Sequence, residues 1–503
     1  MKNFNSDDRQ ATDEKAASPS SIDIESELAP RHREYLIQRH GTADLDPIPA
    51  MDDADPYNWP GWKKHINLVL VAFHAMMSTF TAAAIIPAYL DISINLGISM
   101  NTTAYLTSLQ IAILGGAPLF WKPLSSRFGR RPIFLISLLG SLVCNIGCAK
   151  SPSYGSMAAC RALVAFFISP AGALGSAVVA ECFFRKDRGR YMGVWTLLVT
   201  LGVPVSPFIF GFVAQRVGYR WIYYILSITN AVQLILCIFF CPETRYIGGS
   251  ISSTGSGFRQ EYMSFRRIDP KPLAAYEFIQ PLTMAGRVTV AIPAVAYAMV
   301  FLFGSVMCTV EIPQLLQEKF ELDTQGLGLQ FLSLIIGSVL GEQLGGPLSD
   351  AWMNRKNRSM GQRPGPEYRL WLSYIGFLLT IAGAVVFLVQ TQQSPAGHWN
   401  ITPIVGVAIA AFGNQVVTTV LITYAVDTNH KEAASVGVFI TFVRQMWGFI
   451  GPFWLPDMFS SVGVAKSAGI VSALIVAASI FPTILLQWRG RVWHRTGERP
   501  AEV

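Results

Sequence analysis

Charged residues are scarce in this chain of 503 amino acids. Lys, Arg, Asp and Glu make up 14% of the sequence, whereas hydrophobic residues make up 51%. An average soluble domain is about 25% charged, because its surface must be hydrated by water. The charges also avoid twelve long stretches of the sequence. This composition excludes an ordinary soluble protein.

The uncharged stretches have the length that a helix needs to cross a lipid bilayer. About 20 helical residues, at about 1.5 Å each, cross a hydrocarbon core of about 30 Å. We therefore predict an all-α integral membrane protein with twelve transmembrane helices in two six-helix, pseudo-symmetric bundles. We place the spans at residues 66–90, 104–121, 132–149, 158–182, 191–214, 220–241, 288–310, 326–347, 369–390, 400–425, 434–456 and 465–487.

Motifs for catalysis and nucleotide binding are missing. The sequence contains no G-x-x-x-x-G-K-[ST] phosphate loop, no H-E-x-x-H zinc motif and no G-x-S-x-G nucleophile motif. No Cys or His cluster has the spacing of a metal site, and of the seven histidines only His74 lies at membrane depth. We expect no enzyme activity, no ATP-driven pumping, no metal and no cofactor.

The seven cysteines lie inside or at the edge of the uncharged stretches. There they pack as small hydrophobic residues, so we expect free thiols and no disulfide framework. Residues 1–60 contain no apolar stretch, so we expect no secretory signal peptide and predict that span 1 directs insertion.

Polar segments divide the chain into five parts. Residues 1–55 hold 6 Lys and Arg against 13 Asp and Glu and few aromatic residues, and we predict a disordered, acidic cytosolic tail. We assign residues 56–241 to an N-terminal six-helix bundle and residues 288–487 to a C-terminal one. A cytosolic linker of residues 242–287 joins them, and residues 488–503 form a cytosolic C-terminal tail. Such halves form a binding site between them at the midplane.

Basic residues predict the orientation in the membrane. The loops after spans 2, 4, 8 and 10 hold 14 Lys and Arg residues, whereas the opposite loops hold 5. The positive-inside rule places both termini and the linker in the cytosol. The glycosylation sequences at Asn101 and Asn400 then lie outside, although both are close to a span and their modification stays open. We expect a multi-pass protein of the plasma membrane, with the vacuolar membrane as the alternative.

The loop after span 2 carries a motif. The segment from Lys122 to Pro132, KPLSSRFGRRP, resembles the loop signature G-x-L-x-D-R-x-G-R-R of the major facilitator superfamily. Ser126 stands at the aspartate position of the signature, whereas Asp350 keeps that carboxylate in the second half. The resemblance implies a cytosolic gate in which arginines pair with acidic groups at neighbouring helix ends. Its residues are Ser126, Arg127, Gly129, Arg130, Arg131 and Asp350.

A second motif lies in span 5. The segment from Gly202 to Gly211, with Pro204 and Pro207 between them, resembles the exporter motif G-x-x-x-G-P-x-x-G-G. Three short segments, from Tyr219 to Trp221, from Pro242 through Glu243 to Thr244, and from Pro366 to Trp371, resemble fungal members of the drug:proton antiporter branch, and the resemblance covers roughly residues 55–495. The resemblance implies the major facilitator fold with twelve spans and secondary active transport.

Polar and ionisable residues at membrane depth are costly, so each is a functional candidate. Arg444 and Gln445, near the middle of span 11, could contact substrate or a counter-ion, or Arg444 could form a structural pair. His74 in span 1 could carry the coupling proton or bond neutrally between helices. Arg161 in span 4 is implied by the resemblance to couple protons; an arginine that extends to the membrane surface is the alternative.

Four acidic residues lie near the ends of spans. We predict that Glu181 pairs with an arginine of the loop signature as part of the gate. For Glu342 in span 8 we predict either that it carries a proton or that it forms a structural ion pair equivalent to that of Glu181. Glu311 and Asp427 are interpreted as solvated charges at helix ends.

Two transport functions fit the sequence. The first is proton-driven export, by alternating access, of a small amphipathic compound such as a drug, a toxin or a fungal secondary metabolite. The alternative is proton-coupled import of a small nutrient such as a polyamine or another organic cation, which requires midplane carboxylates that this sequence mostly lacks. A channel or receptor fits two related halves less well. The expected partners are a small molecule, protons and the lipid bilayer, with no nucleic acid, and the expected state is a monomer.

Overall fold

A computed structural model describes residues 29–247, 267–270, 272–360, 365–429 and 432–497. Within these residues, twelve helices are long and apolar enough to cross a membrane, and the predicted fold class is confirmed. Spans 1 to 6 are Gly61–Leu96, Met100–Phe128, Arg130–Lys150, Tyr154–Cys182, Arg185–Val217 and Arg220–Phe240. Spans 7 to 12 are Val288–Leu316, Thr324–Lys356, Pro366–Gln393, Thr402–Thr428, Ala433–Val462 and Val464–Arg489.

The outer surface of the bundle is apolar. Along span 6, Ile228, Val232, Ile235 and Phe239 are between 53% and 66% exposed. Their spacing of three or four residues puts them on one face of the helix. Because such a stripe is unfavourable in water, it faces the hydrocarbon of the bilayer.

Each half forms its own bundle. In the first half, span 1 packs on spans 4 and 5, and span 3 packs on spans 4 and 6. In the second half, span 10 packs on spans 8 and 9, and span 7 packs on spans 10 and 11. Two helix pairs join the halves: span 2 packs along span 11, and span 5 packs along span 8. The space between these two pairs is the cleft between the halves.

One face of the bundle carries the segment that joins the halves, and we call it the linker face. Residues 241–247 follow span 6 on this face, and residues 267–270 and 272–287 precede span 7. The backbone N–H of Ile268 donates to the carbonyl of Arg127 over 2.8 Å, so the linker is attached to the loop after span 2. Residues 248–266 of the predicted linker lie outside the described residues.

The acidic N-terminal tail differs from the prediction. Residues Pro30–His40 form a helix in which Leu36 is fully buried. The Arg39 guanidinium donates to the carbonyl of Asn58 over 2.8 Å. The prediction of disorder is therefore wrong for residues 29–55, because hydrogen bonds to neighbouring loops order a segment that is too polar to fold alone. Residues 1–28 lie outside the described residues, as do residues 498–503 of the predicted C-terminal tail.

Candidate functional site

The halves meet closely on the face opposite the linker. The hydroxyl of Thr324 in span 8 donates to the carboxylate of Asp91 in span 1 over 3.4 Å, and its backbone N–H donates to Gln215 in span 5 over 3.2 Å. On the other side of the cleft, the rings of Tyr105 in span 2 and Phe453 in span 11 stack at 4.5 Å. These contacts close the opposite face, and we call them the seam.

Spans 5 and 8 pack closely near the seam and have open space beside them towards the linker face. The two helices touch at Gly211 and Gly328, near the seam, where a Cβ atom on Gly211 would lie 2.8 Å from the Cα atom of Gly328. Nearer the linker face, Gly193 of span 5 and Gly346 of span 8 have open space beside them. The second helix pair stays together there, since Lys122 Nζ donates to Ser435 Oγ over 3.0 Å.

A polar cluster connects the halves near the middle of the cleft. The Gln415 amide of span 10 donates to Glu342 of span 8 over 3.0 Å and to the hydroxyl of Thr200 of span 5 over 3.3 Å. The Asn414 amide donates to the side-chain oxygen of Gln415 over 3.1 Å. Glu342 is partly exposed to the cleft. This carboxyl group can therefore meet a proton or a substrate that enters from the linker face.

Arg444 is held by aromatic groups. Its guanidinium donates to the Tyr297 hydroxyl over 2.9 Å and lies 4.7 Å from the centre of the Phe301 ring. No ion pair links Arg444 to a carboxylate of the described residues. The neighbouring Gln445 packs on Gly115 of span 2, and its side-chain oxygen has no hydrogen-bond partner among those residues. Arg444 and the rings of Tyr297 and Phe301 thus form a cationic and aromatic surface, and Gln445 lies beside it where spans 2 and 11 meet.

Arg161 is fully buried inside the first half. Its guanidinium donates to Gln110 Oε1 over 2.7 Å, and to the Tyr223 hydroxyl and the carbonyls of Leu106 and Ala82 over 3.2 Å each. These acceptors belong to spans 1, 2 and 6. The alternative of an arginine that extends to the membrane surface is therefore excluded by its position. Four neutral acceptors therefore stabilise the buried charge of Arg161.

His74 is buried in a purely local contact. Its Nε2 atom lies 3.1 Å from Ser137 Oγ, and its ring meets Phe134 edge-on at 5.6 Å between centroids. Burial leaves it 1% exposed. This arrangement, a neutral imidazole bonded between spans 1 and 3, favours the structural interpretation over proton coupling.

The predicted gate holds two separate ion-pair systems at the linker face. Arg130 binds Glu181 with Nη2–Oε1 at 2.9 Å and Nε–Oε1 at 3.2 Å, and the Thr244 hydroxyl donates to the same carboxylate over 2.7 Å. Arg127 binds the carboxylates of Asp269 and Glu277 in the linker. The pair of Arg130 and Glu181 lies within the first half, so it rigidifies that half and does not clamp the two halves together.

Glu243, a partly buried carboxylate, belongs to the segment from Pro242 to Thr244 that carries part of the family resemblance. It accepts hydrogen bonds from the backbone N–H groups of Arg130 and Arg131, at the start of span 3, over 2.8 and 3.0 Å. Burial raises the pKa of the Glu243 carboxyl group, although these N–H donors favour its charged form. A Cβ atom on Gly129, whose φ is +97°, would lie 2.3 Å from this carboxylate. Glycine is therefore required at this position of the gate.

The remaining gate residues bond within their own half. The Arg131 guanidinium donates to the carbonyls of Cys241 and Ile238 over 2.9 and 2.8 Å. The Ser126 hydroxyl donates to the carbonyl of Lys122 in its own helix, so it does not replace the missing carboxylate. In the second half, Asp350 lies 3.4 Å from Arg369.

The span 5 motif packs helix against helix. A Cβ atom on Gly202 would lie 2.5 Å from the carbonyl oxygen of Met76 in span 1, whereas Gly211 contacts span 8. Pro204 and Pro207 lie inside the helix between them. The motif therefore joins span 5 both to its own half and to the other half.

The two glycosylation sequences lie at the face opposite the linker. Asn101 is exposed but belongs to the first turn of span 2. The Asn400 side chain is already engaged, because it accepts the backbone N–H of Thr402 over 2.9 Å and donates to Ser394 Oγ over 3.0 Å. Modification of either residue stays a prediction.

Two predictions about acidic residues were tested by the fold. Glu311 was predicted to be solvated and is fully buried, so that prediction is wrong. Residues from both halves cover this turn of span 7. The position of Glu311 in the sequence does not show that distant segments bury it. Asp427 is partly exposed and lies 3.8 Å from Arg369.

Comparison with known proteins decides the family. The sequence profile described as Major Facilitator Superfamily matches residues 68–452. This chain belongs to the major facilitator superfamily. It is a multi-pass membrane transporter and not an enzyme, as predicted.

Fungal transporters of this superfamily are similar over most of the chain. "Efflux pump FUB11" of Gibberella moniliformis is 27% identical over 453 residues, which cover 88% of this chain and 75% of that protein. "Efflux pump vrtL" of Penicillium aethiopicum is 26% identical over 488 residues, 90% of this chain and 93% of the relative. "Uncharacterized transporter mfc1" of Schizosaccharomyces pombe is 24% identical over 461 residues, 85% of this chain and 90% of that protein.

Solved structures show the same fold at lower identity. A bacterial homologue of the human lysosomal transporter Spinster, inward-facing and unoccupied, has a TM-score of 0.60 at 14% identity, over 88% of this chain and 100% of that one. A mutant of the peptide transporter POT, in complex with alafosfalin, has a TM-score of 0.63 at 13% identity, over 89% of this chain and 99% of that one. The shared feature is the major facilitator fold.

Proposed function

We propose that this transporter exports a small amphipathic compound in exchange for protons, by alternating access of the cleft between its halves. The observation that carries the proposal is the lining of the cleft. The Arg444 guanidinium lies against the Phe301 and Tyr297 rings, and Glu342 provides a carboxyl group across from Thr200. Aromatic faces with few charges suit a compound that is largely apolar.

The relatives support export as the direction. Gibberella and Penicillium proteins that align with most of this chain carry the name efflux pump. Spans 5 and 8 have open space beside them towards the linker face, which we expect to be cytosolic from the distribution of basic residues. A compound would thus enter from the cytosol and leave after the seam opens. We expect a monomer in the plasma membrane, with the vacuolar membrane as the alternative.

The residues of the cleft have different proposed roles. Glu342 is the candidate for a proton or substrate contact, because it is partly exposed and its amide partner reaches the other half. Arg444 and Gln445 are the candidates for a substrate contact on the opposite wall. Arg161 positions spans 1, 2, 4 and 6 and keeps a positive charge near the seam. The gate residues of the first half and Glu181 stabilise that half at the linker face, whereas Asp350 lies beside Arg369 in the second half.

Proton coupling is tested by flux in proteoliposomes. A pH-sensitive dye inside the vesicles reports proton movement when rhodamine 6G, as an amphipathic aromatic probe, or spermidine, as a polyamine probe, is applied on one side. Antiport moves protons against the compound, whereas symport moves them with it. Proton movement with spermidine in the same direction would replace our proposal with nutrient import. If neither probe moves protons, although the vesicles exchange compounds of a wider panel, proton coupling is excluded from the proposed mechanism.

The role of Arg444 is tested by two substitutions. Arg444→Ala removes both the cation–π contact with Phe301 and the hydrogen bond to Tyr297, and we expect transport to fall at least about fivefold. Each contact contributes about 0.5–2 kcal/mol, and a 1.4 kcal/mol change is about tenfold. Arg444→Lys keeps the charge and should retain partial transport. Unchanged transport by Arg444→Ala at normal expression would exclude this residue from the substrate site.

A further inference from the structure

Span 7 contains a carboxyl group that the mechanism above does not use. Glu311 is fully buried, and neither of its side-chain oxygens has a hydrogen-bond partner among the described residues. The buried carboxylate of Asp269 and the partly buried one of Glu243 are, in contrast, bonded by N–H groups. Buried polar groups are normally satisfied, so an orphaned carboxyl group calls for a specific explanation.

Glu311 lies where the two halves meet. The helical segment Cys308–Leu316 packs against the 3₁₀ turn Ile86–Ala88 at the end of span 1, which belongs to the first half. The seam contact between Asp91 and Thr324 is formed by the neighbouring segments of span 1 and span 8. Opening of the seam therefore uncovers Glu311 to water on the face opposite the linker.

The helix around Glu311 is irregular. A π-helical segment, Leu302–Met307, directly precedes it, and Pro313 follows two residues later inside the helix. Such π segments leave backbone groups without regular partners and occur frequently at functional sites. The amide nitrogen of Gln314, almost one turn further along, also has no hydrogen-bond partner among the described residues. Unpaired polar atoms thus occur on consecutive turns, at the fully buried Glu311 and the partly buried Gln314.

Within the described part of the chain, the titratable groups around Glu311 offer no cation that pairs with it. Tyr89, just beyond the 3₁₀ turn, lies within electrostatic range of both Glu311 and Arg161, but its hydroxyl donates to Thr107 over 2.7 Å. Asp91 is engaged with Thr324, and Cys308 of the same helix bonds the carbonyl of Phe303. Glu342 of span 8 is bonded to Gln415.

An unpaired charge is strongly disfavoured in a site without water. The neutral acid avoids this cost, because it needs no counter-ion. We propose that Glu311 binds a proton from the face opposite the linker and that this protonation allows the seam to close. One proton from water adds to a carboxylate oxygen and forms the neutral acid, and the same O–H bond breaks when water reaches the group again. The proposal rests on the proposed function and makes closure of the seam depend on protonation of one residue from the face opposite the linker.

The direct test is infrared difference spectroscopy of the full chain in lipid bilayers at acidic and alkaline pH. A protonated carboxylic acid has a separate C=O stretching band, and wild type should show one that arises from a buried acid. Glu311→Gln should lose this band. Glu318→Gln is the matched control, because Glu318 is an exposed carboxylate seven residues later in the chain, and should keep it. A band that is unchanged in Glu311→Gln, or absent from wild type, would overturn the proposal.

Hydrogen exchange of residues 86–92 and 308–328 provides the second measurement. Relative to Glu318→Gln at each pH, Glu311→Gln should keep the seam protected at alkaline pH, where wild type opens. Equal protection of wild type and Glu311→Gln at all pH values would refute the link between protonation and closure. If the glutamine variant does not fold, Glu311→Asp keeps an acid and should shift the band; an unshifted band contradicts the assignment.

The outcomes separate this inference from the proposed function. If the Glu311 band is present but flux does not depend on the pH gradient, proton antiport is contradicted and the assignment of a proton to Glu311 is retained. Flux that follows the pH gradient equally in wild type and Glu311→Gln would leave antiport in place and contradict the role of Glu311. Both measurements use the same reconstituted full-length chain, so they can be compared directly.

Discussion

The backbone contact between Gly211 and Gly328 makes closure of the seam sensitive to one methyl group. In Gly211→Ala, the added Cβ atom would lie 2.8 Å from the Cα atom of Gly328 and 2.9 Å from the carbonyl oxygen of Thr324. Both neighbours are backbone atoms, so no side-chain rotation relieves the overlap. Spans 5 and 8 must therefore separate at this point, and only the state with a closed seam is affected.

The expected magnitude follows from the cost of overpacking. One extra methyl group in a tightly packed contact costs about 1–3 kcal/mol. When this cost falls on one of two states, the ratio of their populations changes by about 5- to 150-fold. Gly211→Ala should therefore shift the population towards the state with an open seam by a factor in this range, provided that the fold of each half is unchanged.

Hydrogen exchange followed by mass spectrometry measures this shift. Residues 207–215 and 324–332, which form the contact, should exchange faster in Gly211→Ala than in wild type. Gly193→Ala is the matched control on the same helix, because no heavy atom lies within 4 Å of its Cβ position. We expect this control to retain wild-type protection at the seam. Equal protection in the two variants would refute the conclusion that the halves touch through their backbones.

Two further predictions concern the linker face. Burial raises the pKa of Glu243 above its ordinary value of 4.5. At a pH between 4.5 and the raised pKa of the folded protein, folding is therefore coupled to the uptake of a proton. This group's contribution to stability is therefore fully present below pH 4.5 and is lost as pH rises through the pKa of Glu243 in the folded protein. Glu243→Gln should flatten the curve of unfolding temperature against pH above pH 4.5. An unchanged slope would contradict a raised pKa at Glu243. For Glu181 and Arg130, a double-mutant cycle with Glu181→Gln and Arg130→Met should give a coupling energy of about 0.5–3 kcal/mol in denaturation experiments; additive effects would show that the ion pair contributes no stability.

The spans could be predicted from sequence because the property that defines them is local. Each span is long and uncharged. Lipid offers no hydrogen-bond partners, so such a segment forms a helix, in which the backbone N–H and C=O groups bond one another. Several helices continue past the predicted ends, as in Arg185–Val217 against the predicted 191–214. Basic side chains can extend a helix into the headgroup region, where apolar length no longer marks its end.

The environment of single residues could not be predicted in the same way. Glu311 and Asp427 both stand near the end of a span, yet the first is fully buried and the second is partly exposed beside Arg369. The difference arises from the other half, which covers the end of span 7 and not the end of span 10. His74 and Arg161 were both candidates for proton coupling, but only their neighbours distinguish an imidazole bonded to one serine from a guanidinium with four acceptors. Packing between distant segments decides these cases.

The same reasoning explains the missing carboxylate of the loop signature. Ser126 replaces the aspartate of the first half, and its hydroxyl bonds its own helix. Arg127 nevertheless has two carboxylate partners, Asp269 and Glu277, which the linker supplies. In the second half Asp350 is present and lies beside Arg369. The carboxylates that pair with Arg127 in the first half therefore come from the linker and not from the loop, and they attach this part of the linker to the first half.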